Sequence, residues 1–167
     1  MTETQDAPRY GKPLVKSETY LAPLRERFGF SDEVFADIVL LRHNPDYLAA
    51  VHRDHRAPQI PADAQETVGL VFLRTAMAIP KLSTQASMLF GPAATKNIVD
   101  LTRPRAEAYL RRETLTPSPT ELARCTSPGQ VLIGHDGLVL GLAYYRLRDG
   151  IPSLESLFPR AWRLPAA

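Results

Sequence analysis

Residues 129–162, GQVLIGHDGLVLGLAYYRLRDGIPSLESLFPRAW, decide the fold. Short apolar runs in this stretch are separated by two Asp-Gly pairs, Asp136 with Gly137 and Asp149 with Gly150. Because Asp-Gly between apolar runs is a strong hairpin signal, the stretch predicts a three-stranded antiparallel meander. It ends on Arg160, Ala161 and Trp162, with Arg163 directly after, rather than on residues that are typical of a catalytic centre.

Length and composition indicate a folded chain of one domain or two small ones. The 167 residues are 44% hydrophobic and 23% charged, close to the globular average. With a net charge of only +2, a nucleic-acid surface has to come from local clustering of basic residues. The single cysteine, Cys125, excludes an internal disulfide and a Cys-based four-ligand zinc site. The polar N-terminus and the lack of a long apolar window predict a cytoplasmic protein without a membrane partner.

The N-terminal part is predicted to hold a flexible tail over residues 1–13 and a small α/β lobe over residues 14–66. Ser17 can cap a helix that Gly29 ends, and a second short helix follows Ser31. Residues 38–53 leave two alternatives open. The Asn-Pro-Asp turn favours a β-hairpin, whereas the alanines and leucine of DYLAAVHRDHR favour a helix. The segment RAPQIPADAQ is typical of a linker.

The second lobe is predicted to occupy residues 67–167. A buried-strand run, VGLVFLRTA, precedes a helix that Ser83 or Thr84 can cap; the strand NIVDL and the helix RPRAEAYLRRE come before the meander. The predicted fold class is therefore α+β. A small helix-plus-hairpin lobe precedes a mostly antiparallel sheet that closes as a small barrel with flanking helices.

Motifs for catalysis are absent from the sequence. It contains no Gly-rich phosphate loop. Arg124 could lower the pKa of the neighbouring Cys125, but Cys125 has no motif partner, so we interpret it as a small packing residue. His52 and His55 could share a metal only if they lay on a helix, and loop histidines are the simpler interpretation. We expect a non-enzyme with no cofactor and no metal.

The arginines are more informative than these candidate catalytic residues. Arg103 and Arg105 lie on one predicted helix, and Arg146 and Arg160 lie towards the C-terminal end. Solvated faces account for any single arginine. In a closed sheet, however, the last strand returns beside the first, so both ends of the lobe could converge. Such a patch near Tyr144, Tyr145 or Trp162 predicts a phosphate-and-stacking surface for RNA.

The second lobe resembles a known family. PKLSTQASMLFGPAATKNIVDL, AEAYLRRE, GQVLIGHDGLVLGLAYY and SLFPRAW are similar, in order and spacing, to the PUA-like domain of Sun-type (RsmF-like) ribosomal RNA cytosine-5 methyltransferases. The resemblance covers residues 68–163. The first lobe is more loosely similar to the small domain that precedes the PUA domain in those enzymes and in a group of ribosome-assembly factors, which favours the hairpin at residues 38–53.

The resemblance implies a PUA-like pseudobarrel and a face that binds RNA. Matched residue by residue, it selects Lys81, Ser83, Thr84, Lys96, Asn97 and Arg160 as RNA contacts. Lysine and arginine neutralise phosphates, while hydroxyl and amide groups can bond to phosphate, ribose or base edges. Helix capping by the KLST segment and core packing by FPRAW are the alternative interpretations.

The sequence departs from the methyltransferases in lacking room for a domain that binds S-adenosylmethionine and a suitable catalytic cysteine. We therefore expect an RNA-binding module for structured rRNA or tRNA. Its expected further partner is a separate RNA-modifying enzyme or a ribosomal particle. The alternative is a protein-interaction or assembly factor that uses the same barrel without binding RNA.

Overall fold

A computed structural model describes residues 12–55, 68–77 and 80–165. Within these ranges, two four-stranded sheets pack with three α-helices and three short 3₁₀ segments. The helices are α1 Glu18–Phe28, α2 Thr84–Phe90 and α3 Arg103–Leu110. The strands are β1 Ile38–Asn44, β2 Tyr47–His52, β3 Leu70–Arg74, β4 Lys81–Leu82, β5 Ile98–Asp100, β6 Gly129–His135, β7 Leu138–Arg148 and β8 Ile151–Ser156. The 3₁₀ segments are Asp32–Phe35, Gly91–Ala93 and Arg160–Trp162.

Helix α1 forms where the sequence predicts it, with one correction at its start. Leu21, Leu24 and Phe28 are buried at helical spacing, and Gly29 ends the helix in a left-handed conformation with φ 66°. The side chain of Ser17 does not cap the helix. Its hydroxyl instead accepts a hydrogen bond from the backbone N–H of Leu40, 3.1 Å away, and so ties the start of α1 to β1.

The hairpin alternative for residues 38–53 is confirmed. The Asn44 side-chain oxygen accepts the backbone N–H groups of Asp46 and Tyr47, both at 2.9 Å, which closes the turn. Leu48 and Ala49 in β2 are buried. Burial against the core therefore overrides the helix propensity of this segment.

The first sheet has the order β1-β2-β3-β4 with antiparallel pairing throughout. Strands β3 and β4 follow the predicted boundary between residues 66 and 67, yet β3 pairs with β2 of the N-terminal lobe. Strands from both sides of the predicted boundary therefore pair in one hydrogen-bonded sheet. Residues 1–11 of the predicted tail and the predicted linker over residues 56–65 lie outside the described residues, whereas the carbonyl of Pro13 accepts a hydrogen bond from Arg42 at 2.8 Å.

The second sheet has the order β5-β6-β7-β8 and contains the predicted meander. The β6–β7 and β7–β8 pairs are antiparallel, as the Asp-Gly turns predict, while β5 runs parallel to β6. Asp136 and Asp149 take positive φ angles of 48° and 51° in the two turns. The pairings of the described strands give two open sheets rather than one closed ladder. The α+β class with a helix-and-hairpin start is confirmed.

One core joins the two sheets. Leu40 and Phe72 of the first sheet lie in the same buried cluster as Leu132 and Leu142 of the second. Phe28, Phe30, Phe35, Phe72 and Phe90 form a chain of ring contacts with centroids 5.1–5.9 Å apart. A second cluster, around Tyr109 and Val131, lies between α3 and the outer face of the meander. No helix among the described residues has the length and apolar character needed to span a membrane.

We expect Phe72→Ala to lower the free energy of unfolding by about 3–5 kcal/mol, because it removes a fully buried ring from the core that both sheets share. Urea denaturation followed by Trp162 fluorescence and by far-UV circular dichroism should give one coincident transition. Leu138→Ala, at a side chain that is 67% exposed, is the control and should change stability by less than about 0.5 kcal/mol. Two separate transitions would contradict a shared core.

Candidate nucleic-acid interface

Three basic side chains meet near the end of the first sheet. Lys81 lies directly opposite Arg74 in the β3–β4 pair. Lys81 is half-buried, and this burial is the main reason why its pKa is lowered; the nearby charges of Arg74 and Arg112 lower the pKa further. No carboxylate forms an ion pair with these three residues within the described ranges. We call Arg74, Lys81 and Arg112 the basic cluster.

The C-terminal segment lies next to this cluster. Arg112 follows α3 with φ 67°, and its guanidinium donates a hydrogen bond to the carbonyl of Phe158. Phe158 is buried, but Trp162 is 47% exposed and rests on Phe158 with ring centroids 6.2 Å apart. Arg160 is exposed between them. The core-packing interpretation of FPRAW therefore holds for Phe158, while Arg160 and Trp162 remain open to a ligand.

A shallow groove runs along the end of β7. It has a volume of about 250 Å³ and is lined by Pro128, Gly129 and the β7 residues from Tyr144 to Arg148. We call it the tyrosine groove. The guanidinium carbon of Arg146 lies 4.6 Å from the centre of the Tyr144 ring, and Arg146 also pairs with Glu155 at 2.7 Å. A fixed tyrosine ring beside a guanidinium is the type of surface on which nucleic-acid bases stack.

Gln130 connects the tyrosine groove with the basic cluster. It pairs with Tyr144 in the β6–β7 ladder, and its side-chain amide donates to the carbonyl of Pro80 at 3.2 Å. Pro80 immediately precedes Lys81. Gln130 thus links a strand that lines the groove to the residue that precedes Lys81 of the basic cluster.

Two residues expected to contact RNA contribute instead to the internal structure. The Ser83 hydroxyl accepts the N–H of Ala86 at 3.0 Å and donates to the carbonyl of Val71 at 2.6 Å, so it caps α2 and ties it to β3. Asn97 is only 1% exposed. The capping interpretation of the KLST segment is therefore correct for Ser83, while Thr84 lies half-exposed in the first turn of α2.

Asn97 uses its whole side chain within the protein. Its amide nitrogen donates to the carbonyl of Arg27 at 2.5 Å and to the Thr126 hydroxyl at 3.0 Å. Its amide oxygen accepts the N–H of Thr126 at 2.9 Å. Its backbone φ of 56° is left-handed, a conformation that Asn tolerates better than most residues. Asn97 thus fastens the end of α1 to the loop that leads into β6 and cannot reach RNA in this structure.

The remaining candidates fall into two groups. Arg103, Arg105 and Arg146 are neutralised by Glu107, Glu121 and Glu155 at 3.1, 2.6 and 2.7 Å. Lys96 and Arg160 have no ion pair within the described part of the chain. Lys96 lies at the end of α1, where its backbone N–H donates to the carbonyl of Phe28 at 3.2 Å. Ion pairing therefore separates three neutralised arginines from Lys96 and Arg160, and the role of these residues in binding RNA stays a prediction.

Sequence reasoning missed Arg74, although it lies in the cluster. Arg74 is the last residue of a strand, and nothing in its local sequence indicates a ligand. Only the β3–β4 register brings it opposite Lys81. Arg112 belongs to the helix segment RPRAEAYLRRE, and its positive φ and its bond to Phe158 distinguish it from the other arginines of that segment.

The structure describes the candidate catalytic and metal-binding residues Cys125, His52 and His55. Burial raises the pKa of Cys125 despite the opposing charges of Arg27 and Arg124, which disfavours the reactive thiolate considered from the sequence. His52 ends a strand and does not share a helix face with His55. In the described parts of the chain, no group of three metal-binding side chains occurs.

Residues 96–164 match the family model described as the methyltransferase RsmF PUA domain. The matched region begins just before β5 and contains α3, the meander and the FPRAW segment. It includes Arg112 and the tyrosine groove but not Arg74 or Lys81. No catalytic domain is found with it in these 167 residues. No curated protein matches the chain.

We expect Asn97→Ala to lower the free energy of unfolding by about 2–4 kcal/mol, because it strands buried polar partners and forces alanine into a left-handed conformation. Asn97→Gly should recover about 1 kcal/mol of this loss, since glycine adopts positive φ freely. Urea denaturation of both variants measures the difference. Lys96→Ala, at the next residue, is the control. Equal stability of the alanine and glycine variants would contradict a backbone contribution.

We expect Lys81→Met to stabilise the protein at pH 7, because the lowered pKa of Lys81 shows that folding disfavours its charge. As the pH rises from that lowered pKa towards the ordinary value of 10.5, the folded protein loses this proton before the unfolded chain does. The free energy of unfolding of the wild type therefore rises over this pH range, and the difference in stability between Lys81→Met and wild type should become smaller.

Thermal unfolding of wild type and Lys81→Met at pH 7 and pH 10 measures this effect. Lys96→Met introduces the same apolar side chain at a lysine outside the basic cluster and should change stability less. A Lys81→Met protein that is less stable than wild type at pH 7 would contradict the expectation.

Proposed function

We propose that this chain, which carries a PUA-like domain of the RsmF type, is a non-catalytic module that binds structured RNA through the basic cluster and the tyrosine groove. PUA domains in general bind RNA, which is consistent with this proposal. The single observation that carries it is the group of three basic side chains without a carboxylate partner in the described residues, near a partly exposed tyrosine-and-arginine surface.

The charge arrangement of the basic cluster supports an anionic ligand. Arg74 and Arg112 both disfavour the charge on Lys81, so the cluster carries a repulsion that binding of a phosphate would relieve. A surface arginine that forms an ion pair with a glutamate experiences no such repulsion. Lysine and arginine contacts to phosphates also release counterions, which makes the binding depend on salt.

The tyrosine groove adds a way to hold bases. Tyr144 offers one ring, and Arg146 lies over that ring while Glu155 fixes the guanidinium. Stacking of this kind does not require a particular sequence, and it suits the unpaired bases of a structured RNA better than the interior of a duplex.

The biological setting is part of the proposal. The RNA is a structured rRNA or tRNA, and the chain acts as a targeting subunit for a separate RNA-modifying enzyme or in ribosome assembly. We expect the chain to act in the cytoplasm. The RsmF-type match supports a setting in RNA modification because the matched domain type is named for a methyltransferase.

A second candidate function is a protein-interaction or assembly factor. It is favoured by the ion pairs that neutralise Arg103, Arg105 and Arg146, since a surface of paired charges suits a protein partner as well as RNA. Capture of partners from native lysate, with and without nuclease, separates the two functions. A partner that remains after nuclease treatment favours protein contact.

We expect the Arg74→Ala/Lys81→Ala double variant to bind RNA at least about tenfold more weakly and to flatten the slope of log affinity against log salt by roughly 1–2. The measurement is a titration of a tRNA transcript, a ribosomal RNA stem-loop and a DNA duplex of equal length at two salt concentrations. Wild type should bind the RNAs more tightly than the DNA.

Arg103→Ala is the matched control for this titration. Arg103 begins α3, whereas Arg112 follows its last turn, and Arg103 is already paired with Glu107. The control should therefore retain the affinity and salt dependence of wild type. Equal loss in the double variant and the control would exclude the basic cluster as the site, and absence of RNA binding by wild type would refute the proposed function.

A further inference from the structure

A small pocket lies between α1 and the start of β6. Its volume is about 130 Å³. Tyr20, Pro23 and Leu24 of α1 form one side, and Pro80 and Pro128 belong to the other. These side chains offer mainly flat or apolar surface. The pocket therefore suits a flat, largely apolar group rather than an extended polar chain.

The size of the pocket limits its occupant. An apolar cavity of about 150 Å³ accommodates one benzene ring. At about 130 Å³, with an opening to solvent, this pocket has room for one ring of that size. A two-ring group would have to remain partly outside it.

Arg27 gives the pocket a polar side. Its guanidinium is held by three hydrogen bonds, from Nε to the carbonyl of Gln130 at 2.8 Å, from Nη1 to the Ser127 hydroxyl at 2.8 Å and from Nη2 to the Ser127 carbonyl at 3.0 Å. A guanidinium carries five N–H donors. Two donors therefore remain, on a group that is already fixed in position, to bond to the edge of a ring.

The pocket borders the tyrosine groove. Pro128 and Gly129 line both hollows, so the two lie next to each other at the start of β6. Pro80, on the far wall, is followed directly by Lys81 of the basic cluster. The surroundings of the pocket are thus positively charged and suit a ligand that has a ring on an anionic backbone.

We propose that the pocket binds the base of one unpaired pyrimidine nucleotide in an RNA whose backbone lies along the basic cluster and the tyrosine groove. This inference rests on the proposed function and adds a preference to it. The single ring fills the apolar walls, its carbonyl oxygens accept from Arg27, and its phosphate lies within reach of Lys81. A base within a duplex cannot enter, because it is stacked and paired.

The test uses three RNA hairpins of otherwise identical sequence: one fully paired, one with a single bulged uridine and one with a bulged adenosine. Wild type should bind the uridine bulge about tenfold more tightly than the paired hairpin. The adenosine bulge should gain less, since its base has two rings. Affinities are measured by fluorescence anisotropy at constant salt.

Pro23→Trp fills the pocket from α1 without changing charge. Pro23 is exposed within the helix, and its replacement restores a backbone N–H, so the helix should tolerate the change. Ala22→Trp, at the exposed neighbouring residue outside the pocket, is the matched control. Pro23→Trp should lose the preference for the bulge while keeping the affinity for the paired hairpin, and Ala22→Trp should keep both. Thermal unfolding confirms that both variants are folded.

The outcomes separate this inference from the proposed function. If wild type binds all three hairpins equally, the proposed function stands and the pocket assignment fails. The assignment also fails if Pro23→Trp retains the preference, and its single-ring part fails if both bulges gain equally. If wild type binds none of the hairpins, the proposed function fails and the pocket assignment fails with it.

Discussion

The amide of Asn97 is the contact on which the geometry of the candidate interface depends. It bonds the carbonyl of Arg27, 70 residues earlier, to the loop at Thr126 while its left-handed backbone turns the chain into β5. That loop continues directly into Pro128 and Gly129, the residues shared by the pocket and the groove. One buried amide therefore fixes the N-terminal helix against the matched domain and positions the walls between them.

The two ends of α3 differ in whether their arginines form ion pairs with glutamates, and not in how many arginines they carry. At its start Arg103 and Arg105 have glutamate partners, so their charges are largely cancelled at the surface. Beyond its end Arg112 joins Arg74 and Lys81 without a carboxylate partner in the described residues, and the half-burial of Lys81 strengthens their mutual repulsion. This group of basic side chains without a carboxylate partner gives a chain with a net charge of only +2 a local excess of positive charge.

Local signals predicted much of the fold. The two Asp-Gly turns predicted the meander, Gly29 predicted the end of α1, and Ser83 was one of two candidate caps for α2. Residues 38–53 were different, because a turn signal and helix-forming residues in the same segment favoured different structures. The burial of Leu48 and Ala49 against the core favours the hairpin. Because β3 pairs with β2, the first sheet contains strands from both sides of the expected domain boundary.

The sequence by itself determined the α+β class, the meander and the resemblance of its second part to an RsmF-type PUA domain, since these depend on turns, caps and periodicities that extend over a few residues. The sequence also predicted Lys81 as an RNA contact. It predicted Ser83 and Asn97 as well, whose side chains form hydrogen bonds within the protein. Only the tertiary structure decided which basic side chains meet without a carboxylate and that a proline-lined pocket opens beside them. Strand register and ion pairing join residues that are distant in the chain, and neither can be obtained from the spacing of residue types alone.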